Sequence, residues 1–241
     1  MQYNLKHLKK GMKDGMPIAL GYLSVAFTFG LVAVNGGLSW WQATLISMAN
    51  TTSAGQFAGL DIMLSGGALI EMVLAQLVIN IRYSLMAIGL SQNVNKKVSG
   101  INRWLFGACI TDEIFAVSVS KDYKVGRGDL AGVMVVPYLG WSLGTLLGAL
   151  IGGILPTSVI AALGIAIYGM FIAIVVPKAK EDRNVLYVSL LAILISCGFK
   201  YIPGLNKVSS GFVVIICAVA ASLIGTIFFP EEVEKTEEDN E

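Results

Sequence analysis

The chain alternates long apolar runs with short charged stretches. The runs cover residues 16–34, 41–90, 104–120, 130–155, 158–176, 184–199 and 208–229. About 20 apolar residues cross a bilayer core as a helix, so most of these runs predict one crossing each. The run over 41–90 is long enough for two or three, and Gly55 and Gly66-Gly67 mark where it breaks. The pattern predicts an all-α, polytopic transmembrane bundle of seven or eight helices, forming one domain over 15–230. A basic tail over 1–14 precedes it, and an acidic tail over 231–241, expected to be disordered, follows. The run after the basic tail is long for a cleaved leader, so it reads as a retained helix.

Composition sharpens this reading. The chain is 55% hydrophobic and only 14% charged, with a mean hydropathy of +0.72. Soluble chains carry roughly 25% charged residues. The net charge of +1 offers no basic face to a nucleic acid. Cys109, Cys197 and Cys217 lie far apart in apolar runs and read as small core residues. The lone His7 lies in the basic tail and reads as solvated. One histidine with scattered cysteines predicts no metal site, and no cofactor motif is present.

Lysine and arginine set orientation. Lys6, Lys9, Lys10 and Lys13 place the N-terminus in the cytoplasm, and Lys96, Lys97 and Arg103 place the 91–103 loop there too. Lys121, Lys124 and Arg127 then create a conflict, because a single crossing over 104–120 would put them on the other side. Either the rule fails here or the segment is re-entrant.

Gly140, Gly144, Gly148 and Gly152 recur every four residues. Such a ridge of small residues lets two helix backbones approach closely. Pro17 with Gly21, Ala26 and Gly30 weakly echoes Pro137 with Gly140, Gly144 and Gly148, a hint of two related halves.

Polar residues inside apolar runs are costly and tend to face a cavity or a partner. The first group, Asn50-Thr51-Thr52-Ser53-Ala54-Gly55-Gln56, reads either as a helix break exposing backbone groups to a substrate or as a plain loop. Asp61 and Glu71 follow; an intramembrane carboxylate could carry a proton, whereas one at an interface would simply be solvated. Gln76, Asn80, Tyr83 and Ser84 share one helix face. Arg82 points away from Asn80 and either snorkels to the interface or pairs with an acid such as Asp61 or Asp112. Thr111-Asp112-Glu113 carries two acids about 100° apart on a helix, too divergent for a facing dyad.

These groups also carry a resemblance. Gly15-Met16-Pro17, Ala54-Gly55-Gln56-Phe57-Ala58, Asn80-Ile81-Arg82-Tyr83, Thr111-Asp112-Glu113 and Gly140-Trp141-Ser142-Leu143-Gly144 occur in the order found in the AzlC family. That family is the large subunit of bacterial branched-chain amino acid exporters, and the chain resembles it over 15–150. The resemblance implies export of leucine, isoleucine or valine from the bacterial cell, through its plasma membrane, with a small AzlD-type membrane partner. Asp61 and the polar run before Gly55 depart from the family pattern.

The expected substrate-binding residues are Ser53, Gly55, Gln56, Phe57 and Asn80. The expected ion-coupling residues are Asp61, Asp112 and Glu113, with Arg82 as their ion-pair partner. An ion channel would call for a repeated filter or charged rings. An enzyme would call for a nucleophile–base or metal constellation. Neither is in the sequence, so no catalytic residue is assigned. A carrier of another small zwitterion and a membrane assembly subunit without transport remain the alternatives.

Overall fold

The structure is a computed structural model describing residues 2–152, 155, 156, 158, 172 and 175–229, with side chains from Leu5 onward. The predicted run over 158–176 and the acidic tail lie almost wholly outside the described residues. The chain divides into two compact units, Met1–Met170 and Phe171–Glu241.

The first unit contains α1 (Gln2–Asn35), α2 (Trp40–Ala49), α3 (Ser53–Leu64), α4 (Leu69–Asn93), α5 (Ile101–Ala108), α6 (Asp112–Val119) and α7 (Arg127–Ile151). The second contains α8 (Arg183–Tyr201), a 3-10 turn (Leu205–Lys207) and α9 (Ser210–Phe228). Among the described residues five helices are long and apolar enough to cross a membrane: α1 from Leu5, α4, α7, α8 and α9. The expected count of seven or eight crossings therefore does not map onto the runs one by one. Residues 41–90 form three helices, and residues 104–120 form most of two half-helices of eight residues each. At about 1.5 Å per residue, eight residues rise only about 12 Å, far short of a ~30 Å core.

The centre of the first unit is the α1–α7 pair. The two helices run parallel, with Gly140, Gly144 and Gly148 set against Ala19, Leu23 and Phe27. Contact is reciprocal: Gly11 and Gly15 of α1 lie against the backbone of α7 near Asp129 and Val133. A methyl group at Gly140 would stand 2.6 Å from the Ala19 carbonyl oxygen. With lipid as apolar as the side chains, this close backbone packing holds the pair together.

Four more helices of the first unit build two hairpins against this pair from opposite ends. Hairpin 1 is α2–α3. The α2 helix descends along α7, with Ala43 in the cluster that holds Ala149, and the Trp141 indole N–H donates to the Ser47 carbonyl at 3.1 Å. The chain turns at Asn50–Thr52, and α3 climbs back until Leu64 lies against Gly36 at the far end of α1. Positive φ at Gly37 and Gly66 (104° and 70°) makes the reversals at this end. Hairpin 2 is α5–α6. It turns at Cys109–Thr111, and its mouth is closed at the other end by a backbone bridge between Val94 and Val125. There the Asn95 N–H donates to the Val125 carbonyl and the Val125 N–H to the Asn93 carbonyl, both at 2.9 Å.

That bridge resolves the conflict between the two basic loops. The segment over 104–120 enters and leaves at one end, so Lys96, Lys97 and Arg103 lie at the same end as Lys121, Lys124 and Arg127. The start of α1 is there too, because Lys121 Nζ lies 2.9 Å from Asp14 Oδ2. In a cysteine-free background, Lys96→Cys and Lys124→Cys are expected to react with an impermeant maleimide from one side, and Ser65→Cys from the other. Labelling of the two lysine positions from opposite sides would refute the re-entrant hairpin.

The second unit is an antiparallel α8–α9 pair. Gly225 meets Val188, and the Tyr187 and Phe229 rings stack with centroids 5.7 Å apart.

Candidate functional site

The two hairpin tips converge. Thr51 from hairpin 1 and Cys109 and Thr111 from hairpin 2 line one recess with Tyr22 of α1 and Pro137, Tyr138 and Trp141 of α7. Ile114 and Met134 complete an otherwise apolar wall. The recess is narrow: its cavity volume is about 10 Å³, room for about one water molecule.

Each tip is a helix restart capped by a threonine. Thr52 Oγ1 accepts from the Gly55 N–H at 3.3 Å, and Thr111 Oγ1 accepts from the Ile114 N–H at 3.4 Å. Threonine suits this position because its hydroxyl satisfies one of the orphan donors of the first turn. Both α3 and α6 therefore begin at the recess, each presenting the positive end of its dipole, roughly half a unit charge.

The tip of hairpin 1 is fixed by α4. Gln76 Nε2 donates to the Gly55 carbonyl at 2.7 Å. Gln76 Oε1 accepts from Asn80 Nδ2 at 2.9 Å and from Asn50 Nδ2 at 3.3 Å. A side chain at Gly55 would stand 2.7 Å from Gln76 Oε1, so the clamp and the glycine need each other. The break lies at Asn50–Thr52, just before the expected Ser53 to Gln56, which form the first turn of α3. Asn80 supports the clamp. Phe57 packs edge-on against Phe29 with centroids 5.3 Å apart. Gln56 is 1% exposed, and neither polar atom of its amide has a partner among the described residues. It shares a helix face with Leu60, one turn nearer the tip.

The tip of hairpin 2 carries charge. Arg82 Nη1 lies 2.7 Å from Asp112 Oδ2, and the guanidinium sits over the Tyr83 ring, 4.9 Å from its centroid. The Tyr22 hydroxyl bonds to Thr111 Oγ1 at 2.6 Å and to Glu113 Oε2. The structure thus gathers Arg82, Asp112 and Glu113 near the recess. Asp61 is not brought there; it is exposed, one turn from the end of α3. Glu71 is buried at the start of α4.

His7 is not the solvated tail residue its position suggested. Its Nδ1 lies 2.9 Å and 3.0 Å from the two carboxylate oxygens of Asp129. Asp129 also accepts from the Tyr123 hydroxyl at 3.1 Å and the Gly126 N–H at 3.1 Å. Burial, and then the bond to Asp129, push the Tyr123 hydroxyl up from its ordinary pKa. The contact follows from α1, whose helix already runs at Gln2 and extends along α7.

Tyr22 and Trp141 carry no polar-run signal in the sequence, whereas Thr51 lies within the first polar run. Thr111 did carry one, since a threonine directly before two acids is a helix-start signature. Among the described residues no group of three His, Cys, Asp or Glu side chains is placed to hold a metal ion.

Long apolar helices with two interrupted hairpins meeting at a half-buried, largely apolar recess define a multi-pass membrane protein of the transporter type. The AzlC protein family matches residues 17–155, and the chain belongs to that family. An uncharacterized membrane protein of Archaeoglobus fulgidus is 33% identical over 174 residues, covering 71% of this chain and 76% of that one. The inner membrane protein YgaZ of Escherichia coli is 28% identical over 184 residues, covering 73% and 74%. No solved structure matches.

Proposed function

We propose that the protein is a secondary-transporter subunit that exports branched-chain amino acids, coupled to protons and assembled with a small AzlD-type membrane partner. The observation that carries this reading is the convergence of two threonine-capped helix starts on one recess. Two positive dipole ends favour a carboxylate, and irregular backbone at that depth is stable where it lines a cavity. Ile114, Met134 and Pro137 offer an aliphatic side chain an apolar wall. The buried, unpaired amide of Gln56 is a group a substrate can satisfy when the hairpins shift, since such groups are rare without a role. The basic end, with its three Lys/Arg-rich stretches, is assigned to the cytoplasm. Substrate would reach the recess from that end beside hairpin 2 and leave beside hairpin 1.

The test loads cells with leucine- and isoleucine-containing dipeptides and follows amino-acid efflux with this chain alone and beside its partner. Partner-dependent efflux is expected, and Gln56→Ala or Asp112→Ala should abolish it with the protein still in the membrane. No efflux from the two proteins together, or full efflux from both variants, would overturn the assignment. The first result would leave an assembly subunit as the better reading.

A further inference from the structure

Charge at the tip of hairpin 2 is not balanced. Arg82 lies close to the middle of α4 (Leu69–Asn93), about 15–20 Å from either end at ~1.5 Å per residue. That is the half-thickness of a bilayer core, where a net charge is expensive. Arg82 offsets Asp112 through their 2.7 Å contact, and the start of α6 adds roughly half a positive charge. Two carboxylates still outweigh them. The groups beside Glu113 are Tyr22 from α1 and Asp112 on its own helix; from α4, Arg82 reaches Asp112 and lies over Tyr83, which in turn acts on Tyr22. The hydrogen-bond donor that reaches Glu113 is the neutral Tyr22 hydroxyl.

We infer that Glu113 is the acid that takes up and releases the coupled proton, while Asp112 is engaged by Arg82. The inference deepens the transport reading and rests on it for its purpose. Hydrogen-bond counting gives the consequence. The Tyr22 hydroxyl has one hydrogen and two acceptors beside it, Glu113 Oε2 and Thr111 Oγ1. With Glu113 ionised, that hydrogen goes to the carboxylate. A proton arriving from water on the Glu113 carboxyl makes it a donor to the Tyr22 oxygen, and the Tyr22 hydrogen turns to Thr111. Thr111 caps α6 and lines the recess, so proton uptake alters the hydrogen bonding of the hairpin tip where substrate would sit. No other bond forms or breaks. Glu113 is exposed on the unit, and an exposed carboxylate at this depth is stable only towards water.

Trp141 supplies the readout. Its ring meets Tyr22 edge-on, with centroids 5.2 Å apart, and the other three tryptophans can be replaced by phenylalanine. In lipid nanodiscs without substrate, Trp141 emission is followed from about pH 4 to about pH 9, a range that spans carboxylate titration. One titration step is expected. It should vanish in Glu113→Gln, return at a shifted pH in Glu113→Asp, and persist in the neutral pair Arg82→Gln/Asp112→Asn. A step that survives Glu113→Gln, or a parent protein with no step, would overturn the inference. In liposomes, Glu113→Gln should lose the response of leucine efflux to a proton gradient while keeping leucine–leucine exchange. A parent protein that moves no leucine refutes the transport reading, and the emission titration then decides the proton site independently.

Discussion

Gly144→Leu is expected to abolish the folded protein. At this position α7 meets α1 backbone to backbone: an added Cβ would stand 2.5 Å from the Leu23 carbonyl oxygen and 3.1 Å from Ala26 Cβ. Overfilling a packed interior costs about 1–3 kcal/mol, and more when backbones must separate. Gly144→Ala already places that Cβ, so it should lower the melting temperature in detergent. The leucine variant should give no monodisperse peak on size exclusion. Gly21→Ala in α1 is the matched control. Its Cβ would meet nothing within 4 Å, and the better helix propensity of alanine should leave stability equal or slightly higher. A stable Gly144→Leu variant would mean that the helices are not held by the glycine ridge.

Gln76→Leu is expected to reduce transport by at least about tenfold with the protein still in the membrane. The side chain is matched in volume, but three hydrogen bonds disappear. The part-buried Gly55 carbonyl and Asn50 and Asn80 amides then lose their partner, at up to roughly 1–3 kcal/mol for each stranded group. Because every 1.4 kcal/mol is tenfold in an equilibrium, even one such loss would let the tip of hairpin 1 leave its working position. Gln76→Glu keeps both the length and an acceptor, and should retain more activity than Gln76→Leu. Normal efflux from Gln76→Leu would show that the hairpin tip needs no clamp.

Much of this architecture was legible in the residues. Long apolar runs announce α1, α7, α8 and α9, and the four-residue glycine period announces a close-packed face on α7, though not that α1 is its partner. The polar run over 50–56 marked the first hairpin tip to within a few residues. Hairpin 2 was harder, because 104–120 has the length and hydropathy of a weak crossing and its turn at Cys109–Thr111 contains no glycine or proline. Only the two basic flanks betrayed it, as a contradiction and not as a pattern. The His7–Asp129 contact could not be read at all. It joins residues 122 apart, and it depends on α1 continuing as a helix through a stretch that charge alone suggests is a free tail. Asp61 shows why the run alone leaves both positions open: counted along it the residue looks embedded, but the turn of hairpin 1 returns it towards an end of α3.

The shortness of the hairpin arms bears on how the chain is made. Neither eight-residue half of hairpin 2 can be handed sideways into lipid as a finished crossing, and its turn holds backbone groups that hydrocarbon would not solvate. It can enter only as a pair, and only once α4, α1 and α7 offer walls to receive it. Hairpin 1 faces the same requirement from the opposite side of the membrane. Biogenesis is therefore expected to proceed in two rounds, with the long helices threaded first and the two tips drawn in afterwards. A ribosome-bound chain that ends before α7 should leave both hairpins open to protease.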